Sequence, residues 1–450
     1  GVGAGVRPHK NSINNYCYPE NPEAGIDLFL EKLVQETEKE HEDILEQADE
    51  TDAMFGELYS WYLRNPEYRS RVQKLVQSAF AGKPEDIISQ SVAKALYGEV
   101  SPYSATRLER FAACAFAHFL QYGMKLTERV EYEFKPMDMG NVMHEALESF
   151  AEEVRKRGMK WTELTEQERN EIADRCLDNI VADYGNTVLK SSARNEYMIE
   201  RTRRILRRTV WALQKQLEQG EFQPEGFEVT FGGGRIDRVD IMEDQNKVYV
   251  KVIDYKTGNT SFDLVYLYHG LQLQLMIYLD GALRVEQKKY PDKEIIPAGV
   301  FYYNIKDPMI QEKIDADVEA VSAGLMKELK MNGLAQADPE LVYRMDSSLG
   351  SIPVAFNKDG SFRKNSSVAD RTQFAVLGRY VRTKIEKIRS SILEGDAEVS
   401  PYELGKKNAC TYCPYMTVCG FDRRLSGYEF RRLKNFSDEE LWKAFDREAE

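Results

Sequence analysis

Asp237, Asp254 and Lys256 fall in one short stretch, "RIDRVDIMEDQNKVYVKVIDYKTG" (235–258), two acids and a base set among valines and isoleucines. Taking Asp244-Gln245-Asn246-Lys247 as a two-residue hairpin turn makes opposed residue numbers sum to 491. Val239 then opposes Val252, Ile241 opposes Val250, and Asp237 opposes Asp254. Because side chains alternate along a strand, both aspartates and Lys256 lie on the apolar face. Arg238, Asp240, Tyr249, Lys251 and Tyr255 lie on the other, more polar face. Two carboxylates with Cβ atoms roughly 5 Å apart repel unless one is protonated or a cation sits between them. A hard divalent metal, which prefers oxygen ligands, answers that demand. Pairing of the acids with Arg235 or Lys256 is the alternative.

The surrounding pattern is mixed α/β. Residues 26–98 read as helices, followed by a capped helix over 104–126 with a strongly apolar face. A helix over 139–157 carries His144 after Gly140, and further helices run to about 218. "GFEVTFG" reads as a strand ahead of the hairpin. A helix over 264–287 follows, with Gln274 and Tyr278 at i,i+4 and so able to point at one place. A strand at "IPAGVFYYNI", helices near 315–332 and 369–394, and a short tail helix at "SDEELWKAF" complete the series. This order predicts a sheet flanked by helices.

At 450 residues the chain can bury a large core. No run of about 18 apolar residues is present, and the first residues lack an apolar signal core, so a cytoplasmic protein is expected. The net charge of −13 argues against whole-surface nucleic-acid binding. A local basic track remains available in "RTRRILRRTVWALQK" (201–215), where Arg201, Arg204, Arg208 and Lys215 lie near one helical face. That face reads either as solvated and paired with acids or as a phosphate track. Six cysteines are present, and in a reducing compartment metal binding is the expected use. "CTYCPYMTVC" supplies Cys410, Cys413 and Cys419, and Cys114 is the natural fourth ligand. Four thiolates suit zinc or an iron–sulfur cluster. Cys17 and Cys176 read as plain thiols.

"GNVMHEAL", "GRIDRVD", "VIDYKTG" and "LQLQLMIY" resemble, in order, the motifs of RecB-type nucleases of the PD-(D/E)XK superfamily. The resemblance implies a restriction-endonuclease-like core, a central mixed sheet flanked by helices, with added helical regions and a cysteine-bound cluster. It implies that His144, Asp237, Asp254 and the carbonyl of Tyr255 hold Mg2+ or Mn2+. Lys256 would orient water or stabilise charge, while Gln274 and Tyr278 would place the lysine and the DNA. It further implies that Cys114, Cys410, Cys413 and Cys419 hold a [4Fe–4S] cluster as a structural staple.

Within that family the chain resembles the AddB type. The implied organisation is a helical remnant or linker over 1–100, a nuclease unit over 101–425 and a tail helix over 426–450. The implied role is a DNA exonuclease that trims the 5′-ended strand during recombinational break repair. DNA and an AddA-like helicase–nuclease subunit are the implied partners. No "GxxxxGK[ST]" loop occurs, so the chain itself is not expected to hydrolyse ATP. Three departures from the AddB pattern stand out. Ala115 replaces the usual proline after the first cluster cysteine, and Gly232-Gly233-Gly234 replaces a longer segment between two strands. The large helicase-like N-terminal region is missing. The alternatives are a non-catalytic module that uses the cluster and basic helix to bind DNA or a partner, and a stand-alone CRISPR-associated RecB-like exonuclease.

Overall fold

The hairpin expected at 235–258 lies inside a six-stranded mixed sheet. The computed structural model describes residues 26, 29–30, 50–79, 87–98, 104–127, 136–183, 192–232, 234–311, 317–425 and 427–449. Most of the helical stretch read before residue 50, and Cys17, lie outside these. The strands, in spatial order, are β1 (Gln223–Phe231), β2 (Gly234–Asp244), β3 (Lys247–Lys256), β4 (Glu294–Asn304), β5 (Asn332–Gln336) and β6 (Val368–Ala369). β1, β2 and β3 pair antiparallel; β3 and β4 are parallel. Val239 faces Val252 and Ile241 faces Val250, with Asp244 opposite Lys247 at the turn, as the register predicts. The ladder stops at Arg238–Ile253, one pair short of the expected Asp237–Asp254 match. There the Asp237 carboxylate takes over as acceptor, receiving the Tyr255 N–H at 2.7 Å.

The principal helices are α1 (Glu50–Arg64), α2 (Pro66–Ala79), α3 (Gln90–Tyr97), α4 (Ala105–Ala113), α5 (Pro136–Lys156), α6 (Glu166–Asp183), α7 (Ala193–Glu218), α8 (Gln274–Lys289), α9 (Arg371–Glu394) and α10 (Asp438–Ala449). Strand alternation divides the core in two. Ile253, Tyr255, Phe301 and Tyr303 pack with α5, α6 and α7. Val252, Val300 and Tyr302 pack with α3, α4, α8, α9 and α10. Each fully buried valine or isoleucine contributes roughly 1.5–3 kcal/mol, so the central strands are anchored on both faces. A small third core, with Phe29, Leu58, Tyr62 and Val72, lies under α1 and α2.

Several expectations need correction. The single helix over 104–126 is broken at Cys114, whose backbone is extended (φ −165°, ψ 119°). A four-residue helical turn and a wider turn over Phe119–Gly123 follow. Two residues past the break, the Phe116 N–H goes to the carbonyl of Glu398, which a continuous helix would not allow. The helix over 264–287 is also split: a short one, Leu264–Tyr268, ends before Gly270 (φ +79°), and α8 begins at Gln274. The predicted helix near 315–332 is limited to Val318–Glu328, and β5 follows it. The more polar hairpin face is sealed under helices, with Arg238, Asp240 and Lys251 all buried.

Candidate active site

Four separate segments converge at one end of β2 and β3. β2 supplies Asp237 and β3 supplies Asp254 and Lys256, while α5 brings His144 over them and α8 brings Gln274 and Tyr278 alongside. His144 Nδ1 lies 3.3 Å from Asp237 Oδ2. Asp254 Oδ2 meets Lys256 Nζ at 2.6 Å. Lys256 Nζ donates to Gln274 Oε1 at 2.7 Å, and Gln274 Nε2 donates to Tyr278 Oη at 2.9 Å. Tyr255 is buried in the ladder opposite Tyr303, its N–H given to Asp237. Gln274 and Tyr278 thus form one hydrogen-bonded chain with the lysine. Tyr278 is braced edge-on by Phe231, and Gly281 makes the room, since a Cβ there would come within 2.6 Å of the Phe231 ring.

Two acids absent from the sequence reading complete the arrangement. Glu228, on β1, has a carboxylate oxygen 3.9 Å from His144 Nδ1. Ligand atoms of His144, Glu228 and Asp237 all lie within 4.8 Å of one another, close enough to share one cation. Glu228 has a left-handed backbone (φ 49°), next to a register shift between Pro224 and Gly226. Only its place among apolar neighbours in "GFEVTFG" could have signalled it. Glu109, on α4, accepts the backbone N–H groups of Leu273 and Gln274 at 2.7 and 3.0 Å. It stands four residues after Ala105 and three before Ala112, both buried, so an acid on an apolar helical stripe was the available signal.

The electrostatics fit a cation. Burial, then the charge of Asp237, push the Asp254 carboxyl up to about 7 against the pull of Lys256. Burial and Asp237 likewise push Glu228 up to about 7. Burial draws the His144 imidazole down, but its bond to Asp237 and the charges of Asp237, Asp254 and Glu228 outweigh this and hold it above its usual value. Glu109 is pushed up to about 7, chiefly by burial. Carboxylates that retain protons to near neutrality lack positive charge around them. An imidazole nitrogen with several carboxylate oxygens is a donor set that magnesium or manganese accepts.

The cysteines form a second cluster. The break at Cys114 frees it from α4, and Arg431 donates to the carbonyl of Ala112 just before it. A small sheet joins Tyr402–Leu404 to Lys407–Asn408 and to Arg431–Arg432. Asn408 Oδ1 accepts the N–H groups of Cys410 and Thr411, both at 3.0 Å. The Cys410 thiol is pushed up to about 11 by burial, with Cys114, Cys413 and Cys419 adding to the effect, so the four sulfurs feel one another. Cys176 sits in the core beside Leu177 and Ile180. The basic face of α7 is largely neutralised: Arg203 meets Asp178, Arg204 meets Asp307, and Arg207 meets Asp174. This favours the paired reading over a phosphate track.

Comparison with known proteins agrees with this geometry. In Lachnoclostridium phytofermentans the B subunit of the ATP-dependent helicase/deoxyribonuclease is 41% identical to the chain over 425 residues, covering 89% of this chain and 36% of that protein. The polypeptide of the same name from Alkaliphilus metalliredigens is 34% identical over 424 residues, covering 88% and 37%. For the Thermoanaerobacter sp. counterpart the identity is 33% over 425 residues, covering 89% and 37%. The chain therefore spans little more than a third of the length of the curated relatives it matches. The profile of the PD-(D/E)XK nuclease superfamily matches residues 102–420, which include every residue of the site just described. By that match, and by acids and lysine gathered at one sheet end, the chain belongs to the PD-(D/E)XK nuclease superfamily.

Proposed function

We propose that this chain is the nuclease part of an AddB-type subunit, hydrolysing DNA phosphodiesters with Mg2+ or Mn2+. The observation that carries this reading is the convergence of His144, Glu228, Asp237, Asp254 and Lys256 from separate segments, with acids that hold protons to about 7. His144, Asp237 and Asp254, with Glu228 and the Tyr255 carbonyl, would hold the ion. Bound there, it would supply Lewis acidity and lower the pKa of a water. Lys256 is placed to stabilise negative charge on a nonbridging phosphate oxygen. Gln274 fixes the direction of that ammonium, and Tyr278 fixes Gln274.

The relatives' names support a single DNA strand as substrate, fed by an AddA-like helicase–nuclease partner in the cytoplasm. On this reading the 5′-ended strand is trimmed for recombinational repair. Cys114, Cys410, Cys413 and Cys419 would hold a [4Fe–4S] cluster that staples α4 to the C-terminal segment. Iron and sulfide analysis of anaerobically purified protein should give about four of each per chain; zinc in their place would overturn the cluster.

The central test uses single-stranded DNA labelled at either end. Cutting should require magnesium or manganese and should fall by at least about a thousandfold in Asp254→Ala, with the fold intact. The labels report polarity. Equal cutting by both proteins would reject the site, and DNA binding without cutting, even with the motor subunit added, would favour a non-catalytic module.

A further inference from the structure

We propose that Glu109 is a positioning residue, its carboxylate fixing the first turn of α8 and, through Gln274, the ammonium of Lys256. The consequence for cutting rests on the nuclease reading above; the positioning itself does not. The first turn of any helix leaves backbone N–H groups without internal partners, and the preceding residue usually supplies a side-chain oxygen to meet them. In α8 that residue is Leu273, which has no such oxygen and makes no side-chain cap. Glu109, 164 positions earlier in the chain, reaches across from α4 and takes both the Leu273 and Gln274 N–H groups on one oxygen. The cap therefore comes from another helix, and its negative charge lies at the positive end of α8.

What this cap holds matters more than the helix. Gln274 is the first residue of α8, and both ends of its side-chain amide are in use, one by Lys256 and the other by Tyr278. A small displacement of the first turn carries the amide away from Lys256. The lysine is then left with Asp254 as its polar partner and is drawn towards a carboxylate that the cation needs. α4 is itself held from the far end of the sequence, by Arg431 on the Ala112 carbonyl and by the Phe116–Glu398 bond just past the Cys114 break. Glu109 thus couples the cysteine-bearing element to the lysine.

The test labels lysines of the metal-free full chain with an acylating reagent and reads Lys256 by peptide mass spectrometry. In parallel, cutting of end-labelled single-stranded DNA is timed with magnesium. Glu109→Ala and Gln274→Ala should each raise Lys256 labelling several-fold and slow cutting by about tenfold, the scale expected from losing a cap. The double variant should show no further change, because both act through one path. Glu109→Gln, whose amide oxygen can accept the same two N–H groups, should stay within about twofold of the parent. Should Glu109→Ala fail to fold, Glu109→Asp, with its carboxylate withdrawn by one methylene, takes its place. Wild-type Lys256 labelling in Glu109→Ala, or multiplying effects in the double variant, would overturn the proposal. The expected labelling pattern with no cutting in any protein would leave the positioning role standing and remove the nuclease reading.

Discussion

β2 and β3 carry two buried charge clusters, one pleat apart, that behave in opposite ways. On the α5–α7 side Asp240 is held by Arg238 at 2.5 and 2.9 Å and by Lys251 at 2.9 Å. Burial alone would raise that carboxyl, but the two cations outweigh it and keep its pKa low. The Arg238 guanidinium also lies over the Trp161 and Phe227 rings, and Lys251 over Phe222. On the other side Asp237, Asp254 and Glu228 share Lys256, with His144 above them and Arg235 reaching Glu228 from the rim. Asp254 and Glu228 are pushed up to about 7. The same residue types make a finished structural knot in one place and a site short of positive charge in the other. The sign of the pKa shift, more than the presence of acids, separates structure from candidate chemistry.

That contrast can be broken most severely at Asp240. Asp240→Ala leaves Arg238 and Lys251 buried without their acid and should cost about 3–5 kcal/mol in urea denaturation. Asp254→Asn should have the opposite sign without metal at pH 8, gaining on the order of 1–2 kcal/mol because a desolvated, repelled charge is removed. Destabilisation by both would mean that the second cluster is internally balanced after all. Glu228→Gln should weaken magnesium binding by about tenfold, or 1.4 kcal/mol, measured by calorimetry; an unchanged affinity would remove Glu228 from the cation site.

The smallest expected effect concerns pH. Unfolded, Asp254 and Glu228 would release protons near their ordinary values of 3.8 and 4.5; folded and metal-free, they keep them to about 7. The folded state therefore binds more protons, and its stability falls as pH rises from about 4 through 7. His144, also held up, contributes in the same direction, its stabilisation present below 6.5 and lost as pH rises through its folded value. Magnesium replaces these protons, so its stabilising effect on Tm should be larger at pH 8 than at pH 5.5. A gain that is equal at both pH values would contradict the proton-holding site.

The hairpin register was legible because its turn and period-two valines allow one solution, and Val239–Val252 and Ile241–Val250 follow from it. The order of site residues was legible through the motifs. What the sequence concealed depends on long-range partners. Cys114 leaves the helix where Phe116 meets Glu398, and the restart at Gln274 follows a left-handed Gly270 and a carboxylate from α4. Local periodicity continues smoothly through both breaks, so both helices were read as unbroken. Glu228 was missed because β1 adopts an irregular backbone there that no local pattern announces.

The ties that hold α4 and the turns after it have a consequence for how the protein is made. Tyr415 bonds to the carbonyl of Leu126 across 289 positions, and Arg431 to that of Ala112 across 319. At roughly 5–20 residues per second, a ribosome needs about 15–60 s to add some 300 residues. For that interval the growing chain has its acids and lysine but lacks the segment that pins α4. The cutting centre is completed last, when nearly all of this sequence has been synthesised.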